Sequence, residues 1–393
     1  MAAPVDPATI SQFNGYGPIA NRAHQMNQAN AGGGDVNSLV QHTRFAFPVI
    51  TDVTGDVVLF FENRNGGGTA SPNRITVRAS IEVTPGTILL GYAPGGGRDV
   101  VIEPGGFATI RASLQGAKIT KGSKLFVRTQ VAIAAMGLVW PTAHQAGWDA
   151  TEGTVTGSTT DLTASGTITA NTSGGYGPTA ILGNRRGVGT LVVTGDSIIA
   201  GVQDSPSDLG FMDRWAQTKN ISMARFGSPG MRASSPVVAR ELFIGATRSL
   251  CEFGVNDLAN AQPLATVQAS LIAQWKAHYN ETGRVYQTTI TPETTSTDGW
   301  ATTTNQTKAS WDSVRVSLNA WIRAGGPVDG SGNPAAIGSG TPFLTGVIDL
   351  ADQVESARDS GIWKAGWTSD GIHPNVTGNT NIATSGVLSP LLS

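Results

Sequence analysis

Charge is scarce in this chain. Lys and Arg total 26, Asp and Glu total 28, and together they make up 14% of 393 residues, for a formal net charge of −2. That balance offers no electrostatic footprint for nucleic acid or for an anionic membrane surface. Cysteine is nearly absent. The single Cys251 excludes an intramolecular disulfide and any thiolate-rich zinc site, and its apolar setting, Ser249-Leu250-Cys251-Glu252-Phe253, reads as a small buried hydrophobe. The five histidines, His24, His42, His144, His278 and His373, include no pair at metal-ligand spacing; neither a metal nor an organic cofactor is expected. No run of eighteen apolar residues occurs, which argues against a membrane span. The N-terminus, MAAPVDPATI, lacks a basic n-region and an apolar h-region; either no cleaved signal is used or it is absent from this sequence.

Glycine, by contrast, is abundant at 50 residues, which favours many turns and short strands, and 39% apolar residues suffice for a core in two domains or one large one. The first half reads as β. Ile75, Val77, Ala79, Ile81 and Val83 alternate with Arg74, Thr76, Arg78, Ser80 and Glu82, a period of two with one apolar face and one face expected in water. Leu125, Val127, Val131 and Ile133 repeat it, and turn clusters such as Asn65-Gly66-Gly67-Gly68 and Pro94-Gly95-Gly96-Gly97 punctuate further short strands. Residues 41–141 are therefore expected to form an antiparallel β-sandwich of jelly-roll type. Residues 1–40 read as a polar, Gly-rich arm. Residues 142–186, rich in Ser, Thr and Gly, read as a linker or as one or two hairpins.

From about residue 187 the period changes. Short apolar strands at Gly189 to Thr194, Asn220 to Arg225, Arg248 to Phe253, Arg284 to Ile290 and Val347 to Leu350 alternate with helical stretches. These run over Pro206 to Gln217 and Ala233 to Phe243, then along the stripes Leu264, Val267, Leu271, Ile272, Trp275 and Trp311, Val314, Leu318, Trp321, Ile322. Alternation of this kind implies a parallel sheet with helices on both faces, and such sheets bind ligands at the carboxyl ends of their strands.

Four loops at those strand ends carry chemistry. Gly195-Asp196-Ser197 follows the first strand, Phe226-Gly227-Ser228-Pro229-Gly230 the second, Gly254-Val255-Asn256-Asp257 the third, and Asp370-Gly371-Ile372-His373-Pro374 comes after the last. A serine hydroxyl attacks an acyl carbon only when a base takes its proton, and imidazole suits that task near neutral pH. Of the histidines, His373 alone has a carboxylate in register: Asp370, three residues earlier, is expected to share a face with it on one helical turn, with a helix N-cap as the rival role. The oxyanion of a tetrahedral intermediate needs fixed donors, for which the N–H groups of Ser197 and Gly230 and the Asn256 amide are candidates. Asp196 and Asp257 read as loop-fixing residues, and Gly227 and Gly254 as turn residues. Trp363 and Trp367, just before Asp370, could stack on a sugar face or serve as lid or core residues.

These segments, in this order over residues 187–393, resemble the SGNH (GDSL-type) hydrolase family. The resemblance implies a flavodoxin-like α/β/α sandwich and a serine esterase. In it Ser197 is the nucleophile, Asp370 and His373 form the acid–base pair, and Gly230 and Asn256 join Ser197 in the oxyanion hole. Arg225 stands where the family often has Asn, which bears on the local geometry of that loop. The expected function is hydrolysis of short acyl esters, acetyl first, on a carbohydrate. One alternative is a general short-chain esterase or lipase acting on small esters. Another is a carbohydrate-binding or virion-type attachment protein with a secondary or inactive hydrolase half. Work on polysaccharide would place the protein outside the cell or in the periplasm. The sequence is silent on oligomeric state.

Overall fold

The computed structural model describes residues 15–20, 27–30, 38–64, 70–84, 86–142, 144–146, 149–184, 190–205, 209–219, 221–235 and 243–392. Most of the expected N-terminal arm, and most of the helix expected over 233–243, fall outside them. The chain divides into two compact units. One comprises Met1–Thr190, Lys219–Ser228 and Val238–Gly245; the other comprises Leu191–Thr218, Pro229–Val237 and Ala246–Ser393.

The first unit carries β1 (Tyr16–Pro18), β2 (Val40–Pro48), β3 (Val53–Glu62), β4 (Ile75–Thr84), β5 (Thr87–Tyr92), β6 (Val100–Ile102), β7 (Phe107–Ile119), β8 (Lys124–Ala132), β9 (Gly153–Thr156) and β10 (Ala180–Asn184). They form one continuous sheet in the order β1-β10-β3-β7-β5-β4-β8-β2-β9, with β6 beside β4. Alternate residues of the long strands meet in one core: Phe45 and Phe47, Val57, Leu59 and Phe61, Val77, Ala79 and Ile81, Ile110 and Leu114, Val127 and Val131. The period-two pattern is thus a burial pattern.

The opposite face of β4 departs from expectation. Ser80 and Glu82 are buried rather than solvated. The reason lies in residues 149–166, part of the segment expected as a linker or hairpins. It supplies β9 to the sheet edge beside β2 and covers the polar face with backbone carbonyls. Ser80 Oγ donates to Thr163 O at 2.5 Å, and Arg128 Nη1 donates to Leu162 O at 3.0 Å and Gly166 O at 2.8 Å. Arg44 Nη1 donates to Thr151 O at 2.9 Å. Glu82 sits between Arg44 and Arg128, at 2.8 and 3.1 Å, so the buried carboxylate is paired on both sides. Farther along, β10 pairs with β3.

The second sheet has five strands, β11 (Thr190–Gly195), β12 (Ser222–Gly227), β13 (Ala246–Glu252), β14 (Val285–Thr288) and β15 (Gly346–Ile348), in the order β12-β11-β13-β14-β15. Numbered along the chain, that is 2-1-3-4-5, the flavodoxin-like doubly wound order, whose direction of winding reverses at its first strand. β13 with β14 and β14 with β15 pair in parallel. Every residue of β11 is buried, which is why Leu191, Val192 and Val193 run together without polar alternation.

Helices α1 (Ser197–Ala200), α2 (Gly210–Lys219), α3 (Val255–Ala259), α4 (Leu264–Thr282), α5 (Asp312–Arg323), α6 (Leu350–Val354) and α7 (Val376–Thr384) follow the strands. α4 buries Val267, Leu271, Ile272 and Trp275, as its apolar spacing requires. Trp275 stacks on Trp321 of α5 with ring centroids 5.3 Å apart, and its Nε1 donates to Gln287 Oε1 of β14 at 2.9 Å. Among the described residues, no helix is long and apolar enough to cross a membrane.

Candidate active site

The site lies within the second unit, where the winding reverses between β11 and β13. β11 ends at Gly195. A Cβ there would stand 2.4 Å from Ile199 Cγ1 and 2.7 Å from Glu252 O, so only glycine lets the chain turn this close to β13. Asp196 then caps the short helix α1, its Oδ1 accepting the Ile198 N–H at 2.9 Å. Ser197 opens the helix and is only 7% exposed. As the first helical residue, its N–H has no partner within that turn.

The loop before α7 brings the imidazole. His373 Nε2 lies 2.7 Å from Ser197 Oγ, and His373 Nδ1 lies 2.7 Å from Asp370 Oδ2. Asp370 and His373 meet without the helical turn expected of them, since α7 starts only at Val376. Instead, Asp370 Oδ1 accepts the N–H groups of Ile372 and His373, each at 2.9 Å, in an Asx-type turn. The capping role and the orienting role therefore fall to different oxygens of one carboxylate. Burial opposes the charge on Asp370, but the His373 ring and the two backbone N–H groups outweigh it and hold the carboxyl well below the usual carboxylate range. Ionised, Asp370 fixes the Nδ1–H tautomer and leaves Nε2 as the acceptor facing Ser197.

Gly371 sits at φ 82°, and a Cβ on it would lie 1.9 Å from Thr294 O. The close approach makes room for the Thr294 N–H to donate to Gly371 O at 3.0 Å. Trp363 completes this anchor. Its Nε1 donates to Gly371 O at 2.9 Å and Pro292 O at 3.0 Å, and its side chain is 0% exposed. Trp363 is thus a buried pin of the His373 loop: of the roles its sequence position left open the core role fits, and substrate stacking is corrected because the side chain is 0% exposed. Trp367 is half-buried, with the Lys364 ammonium 4.8 Å from its ring centroid.

Asn256 reaches the Ser197 turn. Its Nδ2 donates to Asp196 Oδ2 at 3.0 Å and to Met231 O at 2.9 Å. Both amide hydrogens are therefore held by protein acceptors, and Asn256 ties the Gly230 loop to the start of α1. Asp257 Oδ2 strengthens the tie by accepting the Ala233 N–H at 2.9 Å. Gly230 itself is exposed, at φ 80°.

Beneath the serine turn lies Glu252, the last residue of β13, which the sequence reading did not single out. It is 1% exposed, and its Oε2 is 3.4 Å from the Asp196 N–H. The two carboxyl groups are near enough that each perturbs the ionisation of the other. Burial first, and the Asp196 charge second, push the Glu252 carboxyl well above the ordinary carboxylate range. Its signal in the sequence was an acidic residue ending an apolar strand. Cys251, next to it, is inert: burial pushes its thiol up to about 12, and it rests 3.4 Å from the Nδ1 of buried His278.

No family model matches the sequence, and no curated protein matches it. Solved structures of G-D-S-L lipolytic proteins do match about half of the chain. One is a member of the lipolytic protein G-D-S-L family from Veillonella parvula, at 16% identity and a TM-score of 0.35, covering 50% of this chain and 96% of that one. A GDSL-like lipase from Bacteroides thetaiotaomicron shows 14% identity and a TM-score of 0.35, covering 52% and 87%. A lipase from a goat rumen metagenome shows 14% identity and a TM-score of 0.36, covering 52% and 96%.

Proposed function

We propose that this protein is a serine esterase that works through an acyl-enzyme on Ser197. The observation that carries the reading is the unbroken chain of contacts Ser197 Oγ, His373 Nε2, His373 Nδ1, Asp370 Oδ2, with both links at 2.7 Å. His373 Nε2 takes the hydroxyl proton as Oγ bonds to the acyl carbon, and Asp370 stabilises the imidazolium. The oxyanion is met by the Ser197 and Gly230 N–H groups, and by the Asn256 amide once it exchanges Met231 O for the developing charge. Collapse expels the alcohol, which leaves with the proton from Nε2. Water then gives a proton to the same nitrogen and its oxygen attacks the acyl carbon, and the acid and the free Ser197 hydroxyl are restored.

For the substrate we infer a short acyl ester, acetyl first, on a carbohydrate. Low overall charge, the half-buried Trp367 beside the His373 loop and an appended β unit support this over long acyl chains. In this reading residues 187–393 are the catalytic domain and the ten-stranded sheet is a sandwich-like accessory module. Acetylated sugars assayed beside aryl esters of rising acyl length test it. A general short-chain esterase would cleave the aryl esters and ignore the sugar.

A second reading has one observation in its favour. On the first unit a cavity of about 430 Å³ is lined by Asp56, Leu90, Tyr92, Arg111 and Gln115, an aromatic ring among polar groups of the kind sugars stack on. A binding or attachment protein would retain glycan through this cavity and show no esterase turnover.

A further inference from the structure

Two buried acidic side chains neighbour one another beneath the nucleophile, with Glu252 Oε2 3.4 Å from the backbone nitrogen of Asp196. Asp196 is 0% and Glu252 1% exposed, and among the described residues no Lys or Arg acts on either carboxyl group. Two like charges this close in a dry site cannot both persist, so one proton must be shared between them. Among the described residues the one basic group acting on the pair is the His373 imidazole, which favours the charged form of Asp196. Asp257, near the start of α3, is buried and acidic and disfavours the charged form of Asp196, and the Arg232 charge acts on Asp257.

We propose that Glu252 is a positioning residue that carries this proton at neutral pH and donates it to Asp196. The consequence follows from what Asp196 holds. One oxygen accepts the Ile198 N–H and so shapes the turn bearing Ser197; the other accepts the Asn256 amide and so places an oxyanion donor. A neutral Glu252 lets Asp196 remain an acceptor for both. An ionised Glu252 repels Asp196, and the turn and the amide lose their shared anchor. The same turn leaves no room for rearrangement at Gly195, whose missing Cβ would lie 2.8 Å from Glu252 Oε2. This inference rests on the esterase reading for its consequence and on the two carboxyl groups alone for its proton.

The test therefore has one readout that needs no activity. Infrared spectra of the wild-type protein in D₂O are recorded against Glu252→Gln across neutral and alkaline pH. Expected is a protonated-carboxyl C=O band at neutral pH, absent from Glu252→Gln. The band disappears over the same alkaline range in which wild-type kcat/KM on an aryl acetate declines. Glu252→Ala lowers kcat/KM by between about ten- and a hundredfold through misplacement of the serine turn. Glu252→Gln, a permanent donor, recovers most of it and shows no such alkaline decline. A wild-type spectrum without the band at neutral pH overturns the proposal, as do superimposable pH profiles of wild type and Glu252→Gln. Should Glu252→Gln not fold, coincidence of band loss and activity loss in the wild type alone decides. An inactive wild type that still shows the band removes the esterase reading and leaves the shared proton standing.

Discussion

His373 Nε2 stands 2.7 Å from Ser197 Oγ although 176 residues separate them in the chain. The hydroxyl is fixed by a strand end and a capped turn, the imidazole by a loop pinned to Thr294 and Trp363. If this contact is the catalytic one, its orientation depends on Asp370. Asp370→Asn is then expected to lower kcat by about 10⁴-fold, through the wrong imidazole tautomer, with little change in KM. Steady-state kinetics on an aryl acetate would show it, and a loss under tenfold would detach Asp370 from the reaction.

Asn256 holds two acceptors at once, so its removal should register twice. Asn256→Ala is expected to lower kcat by about 10²- to 10³-fold, roughly 3 kcal/mol of transition-state stabilisation. The lost hydrogen bonds to Asp196 and Met231 should also cost about 1–2 kcal/mol in urea unfolding. A variant destabilised to that degree but fully active would leave Asn256 a tether only.

His278 makes a prediction about acid stability. It is buried against Thr194 and Cys251, and burial pushes its pKa down to about 3. The unfolded chain binds a proton on this ring from about pH 6.5 downward, and the folded protein does not until about pH 3. Stability from this group is thus fully present above pH 6.5 and falls as the pH drops between those values, by up to about 5 kcal/mol. His278→Gln should flatten the acid limb of the stability curve. An unchanged slope between pH 6.5 and 4 would contradict the account.

Trp363 and Gly371 should separate anchoring from chemistry. Trp363→Ala removes a fully buried ring and two hydrogen bonds and is expected to cost about 3–5 kcal/mol, read by thermal unfolding. Gly371→Ala forces a Cβ onto Thr294 O and should displace His373, reducing kcat while KM changes less. Were Trp363→Ala as stable as wild type but defective in KM alone, the ring would be a substrate contact after all.

What was legible in the sequence follows from what local pattern encodes. Period two marked the core face of β4, and the helical stripe of α4 marked its buried side, because each residue's direction is set by its own backbone. The four motif loops were legible because strand–helix alternation sends them to one sheet edge. Long-range satisfaction was not legible. Ser80 and Glu82 look solvated until residues 149–166 lie over them, and Trp363 reads equally as a sugar platform or a lid or core residue until Pro292 and Gly371 accept its N–H. The Asn256 amide shows the same limit: its identity suggested an oxyanion donor, but only the fold reveals that Asp196 and Met231 hold it.

Intact-mass analysis after treatment with a fluorophosphonate tests the central claim most directly. The account predicts one adduct per wild-type chain, mapped to the peptide containing Ser197, none on Ser197→Ala, and strongly slowed labelling of His373→Ala. Equal labelling of wild type and Ser197→Ala would contradict it.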